Sequence, residues 1–153
     1  MLEEKLGQYY ETIATNVIDL ILEPWNKIYF FCEVRDYLYY FDFYYDDKNG
    51  HLKKRNFSFS LGLEEAYSDS VTREIYKEIR ALKDDFLENQ QCPWDTFCFE
   101  LNSDGAFKAH YEYDLPEPEI HKFYQIRWEY KTLGIKDNFK YLTEDEIETI
   151  VNE

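Results

Sequence analysis

Basic residues are scarce in this 153-residue chain: 17 Lys plus Arg stand against 32 Asp plus Glu, a formal charge of −15 with histidine neutral. A field of that sign repels phosphate backbones and anionic membrane surfaces, so no direct nucleic-acid or membrane partner is expected. Long apolar runs are also missing. The longest, such as Ile28-Tyr29-Phe30-Phe31-Cys32, fall far short of the ~20 residues that a spanning helix requires. The start Met1-Leu2-Glu3-Glu4 has neither a basic region nor a following apolar stretch, so it does not read as a signal peptide and a cytoplasmic protein is expected. Three cysteines, Cys32, Cys92 and Cys98, form an odd set without a close CxxC pair, which fits reduced intracellular thiols better than a disulfide framework.

Motifs that carry catalysis are equally scarce. The chain contains no GxSxG, HExxH, GxxxxGK or GxGxxG. His51 follows an Asn-Gly turn, His110 lies on a strand face opposite Phe107 and Tyr111, and His121 begins a helix, so no metal site and no cofactor are expected. Paired carboxylates such as Asp46-Asp47 and Asp84-Asp85 are common, but 32 acids supply such pairs by chance. The reading is of a binding protein and not an enzyme.

What the chain does have is aromatic side chains, 20% of the sequence, within a 44% hydrophobic share that can furnish a core. That excludes a disordered acidic tail and makes one compact domain, residues 1–153, the expectation. Leu6, Tyr10, Ile13, Ala14, Val17, Ile18 and Ile21 recur at three- and four-residue intervals, one stripe of a helix that Pro24 ends. From Lys27 to Ser60 the pattern changes to aromatic and β-branched runs broken at Arg35-Asp36 and at Asp46-Asp47-Lys48-Asn49-Gly50, which predicts three antiparallel strands.

Helical spacing returns through Val71, Ile75, Ile79, Leu82 and Phe86, with Asp69 or Ser70 as candidate cap. Phe97, Phe99 and Leu101 alternate before Asn102-Ser103-Asp104-Gly105, and Phe107, Ala109, Tyr111 and Tyr113 alternate after it, a second hairpin. Pro116 and Pro118 suit the first turn of a helix running to Leu133, with Gly134 as its left-handed cap. Thr143 and Glu146 form a capping box for a last short helix. The order α-βββ-α-ββ-αα predicts an α+β fold, a mainly antiparallel sheet of about five strands covered by helices.

Two acidic stretches contain no Lys or Arg: Glu112, Asp114, Glu117 and Glu119, and then Glu144, Asp145, Glu146, Glu148 and Glu153. Each reads either as a solvated face or as a docking surface for a basic partner. Tyr37, Tyr39, Tyr40, Phe41, Phe43, Tyr44 and Tyr45 crowd one central strand, where residue type alone does not separate core from interface anchor.

Four segments in order carry a resemblance: Glu23-Pro24-Trp25-Asn26-Lys27-Ile28-Tyr29 after an amphipathic helix, Pro93-Trp94 before an aromatic strand, Gly105 through Tyr111-Glu112-Tyr113, and Trp128-Glu129-Tyr130-Lys131-Thr132-Leu133-Gly134-Ile135. Together they resemble the YezG-like immunity proteins, a family associated with secreted bacterial nuclease toxins. The resemblance implies an antitoxin that binds and inhibits the basic nuclease domain of its partner. An acidic chain agrees with that, since nucleases expose cationic clefts for phosphate. The alternative is an acidic adaptor or secretion chaperone that holds a basic client without inhibiting it. The expected docking residues are Glu112, Asp114, Glu117 and Glu119, with Tyr111, Tyr113, Tyr124 and Trp128 as nearby aromatic anchors and Asp46 and Asp47 at the first hairpin as second choice.

Overall fold

The computed structural model describes residues 2–36, 38–54, 65–89, 91–120 and 122–153. Tyr37, the stretch from residue 55 to Ser60 and His121 lie outside the described residues. The chain divides into two compact units, Met1–Asp114 and Leu115–Glu153.

The first unit is an antiparallel five-stranded sheet with two helices. In chain order it contains α1 (Leu2–Asp19), β1 (Trp25–Val34), β2 (Tyr39–Asp47), β3 (Leu52–Lys54), α2 (Glu65–Glu88), β4 (Thr96–Asn102) and β5 (Phe107–Glu112). The strand order β3-β2-β1-β4-β5 puts β1 in the middle. One face of the sheet carries Ile28, Phe30, Cys32 and Val34 of β1, Phe41 and Phe43 of β2, and Phe97 and Phe99 of β4, in one core with Ile13 and Val17 of α1 and Ile75, Ile79 and Leu82 of α2. Side chains on a strand alternate between faces, so the register Phe30↔Phe43 and Phe30↔Phe99 aligns these rings across three strands. Phe30 stacks on Phe99 at 4.8 Å between centroids and on Phe41 at 5.7 Å. The helical stripes read from the sequence are the stripes that are buried.

Several local signals resolve differently from their sequence reading. Helix α1 stops at Asp19, and Leu20 and Ile21 continue the apolar stripe from a tight turn whose N–H groups donate to Val17 and Ile18 carbonyls at 3.0 Å. Helix α2 starts at Glu65, so Asp69 and Ser70 lie inside it and are not its cap. In the first hairpin only Gly50 takes a positive φ, 79°, with its N–H donating to the Asp47 carbonyl at 3.0 Å. Trp94, which follows Pro93, is fully buried in the core.

The second unit contains α3 (Phe123–Leu133), a 3₁₀ turn (Asp137–Tyr141) and α4 (Glu144–Asn152). Pro116 and Pro118 do not open α3, which begins five residues after Pro118. Each proline disfavours helical φ/ψ in the residue before it, here Leu115 and Glu117, so two successive X-Pro steps keep this segment out of the helix. Lys122, at φ 66°, immediately precedes the helix. Gly134 ends α3 at φ 70°, as read, with its N–H donating to the Tyr130 carbonyl at 2.9 Å. The capping box of α4 is complete: Glu146 N–H donates to Thr143 Oγ1 at 3.1 Å, and Thr143 N–H donates to Glu146 Oε1 at 2.8 Å.

Candidate interaction surface

The ten candidate residues fall into distinct environments. At the first hairpin, the Asp47 side chain is turned inward and buried, accepting the N–H groups of Asn49 and His51, both at 2.9 Å, and pairing with Lys53 at 3.3 Å. The His51 N–H, the Asn49 N–H and the Lys53 ammonium hold its carboxyl below the ordinary range for aspartate. Asp46 accepts the Tyr29 hydroxyl at 2.9 Å. Beside them Glu23 accepts the Lys53 ammonium at 2.7 Å and the Tyr45 hydroxyl at 2.6 Å, contacts that lower its pKa and raise that of Lys53. Asp47 therefore shapes the turn and neutralises a lysine, and its carboxylate is committed within the chain.

At the end of β5, Tyr111 lies on the core side of the sheet. Its hydroxyl shares a 2.6 Å hydrogen bond with Tyr10 of α1, and its ring stacks on Phe97 at 4.9 Å. Burial, and then the Tyr10 contact, push its pKa above that of a free tyrosine. Glu112 points to the other face, where it accepts the Thr96 hydroxyl at 3.1 Å. Tyr113 is 41% exposed, and Asp114 is exposed at φ 52°.

In the second unit Glu117 and Glu119 are exposed and make no hydrogen bond or ion pair with any described residue. Tyr124 and Trp128 are buried, the Tyr124 hydroxyl donating to the Pro116 carbonyl. Glu129, also buried, accepts the Asn138 amide at 2.9 Å. The last acidic stretch becomes the outer face of α4: Asp145, Glu148, Thr149 and Asn152 follow at helical spacing and are all exposed. The second acidic stretch read from the sequence thus lies on the exposed side of a short capped helix.

Among the described residues no group of three or more His, Cys, Asp or Glu is placed to hold a metal ion. Cys98 is pushed up to about 12 by burial, which leaves it a thiol. Among the described residues, no helix is long and apolar enough to cross a membrane.

The profile of the family described as "Immunity protein YezG-like" matches residues 6–147. The chain belongs to the YezG-like immunity proteins. Similar curated proteins include Immunity protein YezG of Bacillus spizizenii, 26% identical over 135 residues, 86% of this chain and 84% of that protein. Immunity protein YezG of Bacillus subtilis is 27% identical over 130 residues, 82% of this chain and 86% of its own length. The Type VII secretion system protein EsaG of Staphylococcus aureus is 26% identical over 149 residues, covering 91% of this chain and 88% of its own length. The matched span of the YezG-like profile includes β1 to β5, α3 and the capping box of α4.

Proposed function

We propose that this YezG-like protein is the antitoxin of a secreted bacterial toxin with a basic nuclease domain, and that it acts in the cytoplasm by binding that domain and stopping its turnover. Family membership supports the antitoxin role, and the observation that argues for a nuclease is the charge of −15. An enzyme that grips phosphates carries a cationic cleft, and an acidic inhibitor is steered to such a cleft at an increased association rate. Binding is sufficient for this role, and no catalytic step is assigned to the chain.

The docking acids proposed are Glu117 and Glu119 of the second unit and Asp114 of the first, which are exposed and unpaired among the described residues. Asp46, Asp47, Tyr111 and Glu112 have internal partners, and Tyr124 and Trp128 are buried. These residues hold the local structure in place rather than supplying the first contacts. A second reading, an adaptor that escorts a basic client to secretion, is favoured by the name of the S. aureus relative, a type VII secretion system protein.

A nuclease assay separates the two. Titrating the purified protein into the toxin domain encoded beside it should reduce turnover stoichiometrically, reaching zero at equivalence. Full nuclease activity at saturating, demonstrably bound protein would refute inhibition and leave the adaptor.

A further inference from the structure

Strand β5 forms one border of the sheet, with β4 as its only neighbour in the strand order. The register runs from Thr96↔Glu112 to Leu101↔Phe107, and the Asn102 N–H donates to the Ala106 carbonyl at 2.8 Å. Hydrogen-bonding direction alternates along an antiparallel strand. The backbone groups of Lys108, His110 and Glu112 therefore face β4, while the N–H and C=O groups of Phe107, Ala109 and Tyr111 face outward, with no partner among the described residues. Lys108 and His110 are exposed, Phe107 is 37% exposed and Tyr113, just past the strand, is 41% exposed. Such a row is a template for another strand, and natural edges are usually blunted by charged side chains, lysine above all, by proline or by a bulge. The stretch Phe107–Glu112 has no proline, and its one cation, Lys108, is drawn toward Glu100 of the neighbouring β4 at 3.6 Å.

The side chains of this edge are complementary to themselves. If β5 meets a second β5 antiparallel across a two-fold axis at His110, Lys108 of each copy lies opposite Glu112 of the other, Phe107 lies opposite Tyr113 and Ala109 opposite Tyr111. The same register satisfies the outward backbone groups, covers the two exposed aromatic rings and sets Lys108, which already lies 3.6 Å from Glu100 of its own β4, beside a second carboxylate. Two copies joined this way form an isologous contact, closed by its own symmetry.

We propose that β5 is a homodimerisation edge, through which two copies of this chain join their sheets with Lys108 opposite Glu112. The contact is independent of the toxin reading, since it runs from Phe107 to Tyr113 and uses none of the proposed docking acids Asp114, Glu117 and Glu119.

Sedimentation velocity across a concentration series, with circular dichroism to select folded variants, tests the pairing. The natural chain should show a reversible dimer. Lys108→Glu and Glu112→Lys, each placing like charges opposite one another twice per dimer, should weaken it by about tenfold or more. The double variant carrying both changes restores opposite charges and should recover dimerisation. Ala109→Pro removes a donor that faces away from β4 and should give a folded monomer that still inhibits the toxin. A natural chain that stays monomeric at every concentration, or a double variant no tighter than its single parents, would overturn the proposal. So would loss of inhibition by folded Ala109→Pro, which would assign the edge to a strand of the toxin. Should Ala109→Pro fail to fold, the charge exchange alone decides.

Discussion

Replacing Phe30 by alanine should remove a large part of the stability of the first unit. Phe30 is fully buried in the central strand, stacked on Phe99 at 4.8 Å with 14° between ring planes and on Phe41 at 5.7 Å with 19°. A buried Phe→Ala change costs about 3–5 kcal/mol through lost transfer energy and the cavity left behind. Each aromatic pair adds about 0.5–1.5 kcal/mol beyond area. Two stacked partners on neighbouring strands place Phe30 toward the top of that range, about 4–5 kcal/mol. With a urea m-value of about 2 kcal/mol/M, the midpoint should fall by about 2 M. Phe107→Ala, on the border strand and 37% exposed, is the internal control and should cost less than about 1.5 kcal/mol. Urea melts of both variants followed by tryptophan fluorescence make the comparison. If Phe30→Ala leaves too little stability to measure, Phe30→Leu should still cost more than Leu at position 107. Equal losses at the two positions would refute the placement of the core on β1.

Thr143→Ala should cost about 1 kcal/mol by opening the capping box, read as faster amide exchange in α4 with no change in the first unit. The Asp47 carboxyl is held below its unfolded range, so its contribution to stability is present above that range and is lost as pH falls through the folded value. Asp47→Asn should therefore flatten the acid side of the stability profile below about pH 4, which urea melts across pH would show. Changing Glu117 and Glu119 together to lysine moves the formal charge from −15 by four units toward neutrality. Association with the toxin domain should slow by up to about tenfold at low salt, with a shallower salt dependence, and unchanged stopped-flow rates would remove these two acids from the docking site.

The sequence was most readable where structure is decided by near neighbours. The stripes of α1 and α2, the alternation in β4 and β5, the Gly134 cap and the Thr143–Glu146 box each depend on residues a few positions apart. Helix starts were less readable. Asp69 and Ser70 have the chemistry of a cap but sit inside α2, and Pro116 and Pro118 fit a first turn by type while the extended bias before each proline delays α3. The candidate surface was the least readable part, because a carboxylate's freedom depends on distant partners. Asp47 and Glu117 look alike in sequence, and only the placement of Lys53 and of the hairpin N–H groups shows the first to be committed. Tyr124 and Trp128 show the same limit for aromatics, since their type suits a buried position as well as an anchor.

The central position of β1 imposes an order on synthesis. Its partner β2 follows through a short connection, but its other partner β4 lies beyond α2, with Lys27 aligned to Asn102 and Glu33 to Thr96. At about 5–20 residues per second, several seconds separate the emergence of β1 from that of β4. During that interval the nascent chain carries Ile28, Phe30 and Cys32 on a strand paired along one side only, beside Phe41 and Phe43. The slow event in maturation is thus the closure of β1 on β4, the sheet's most non-local pairing. Truncated or stalled chains ending before Thr96 should be the aggregation-prone species, and a cell that depends on rapid protection has reason to complete this chain before its toxin.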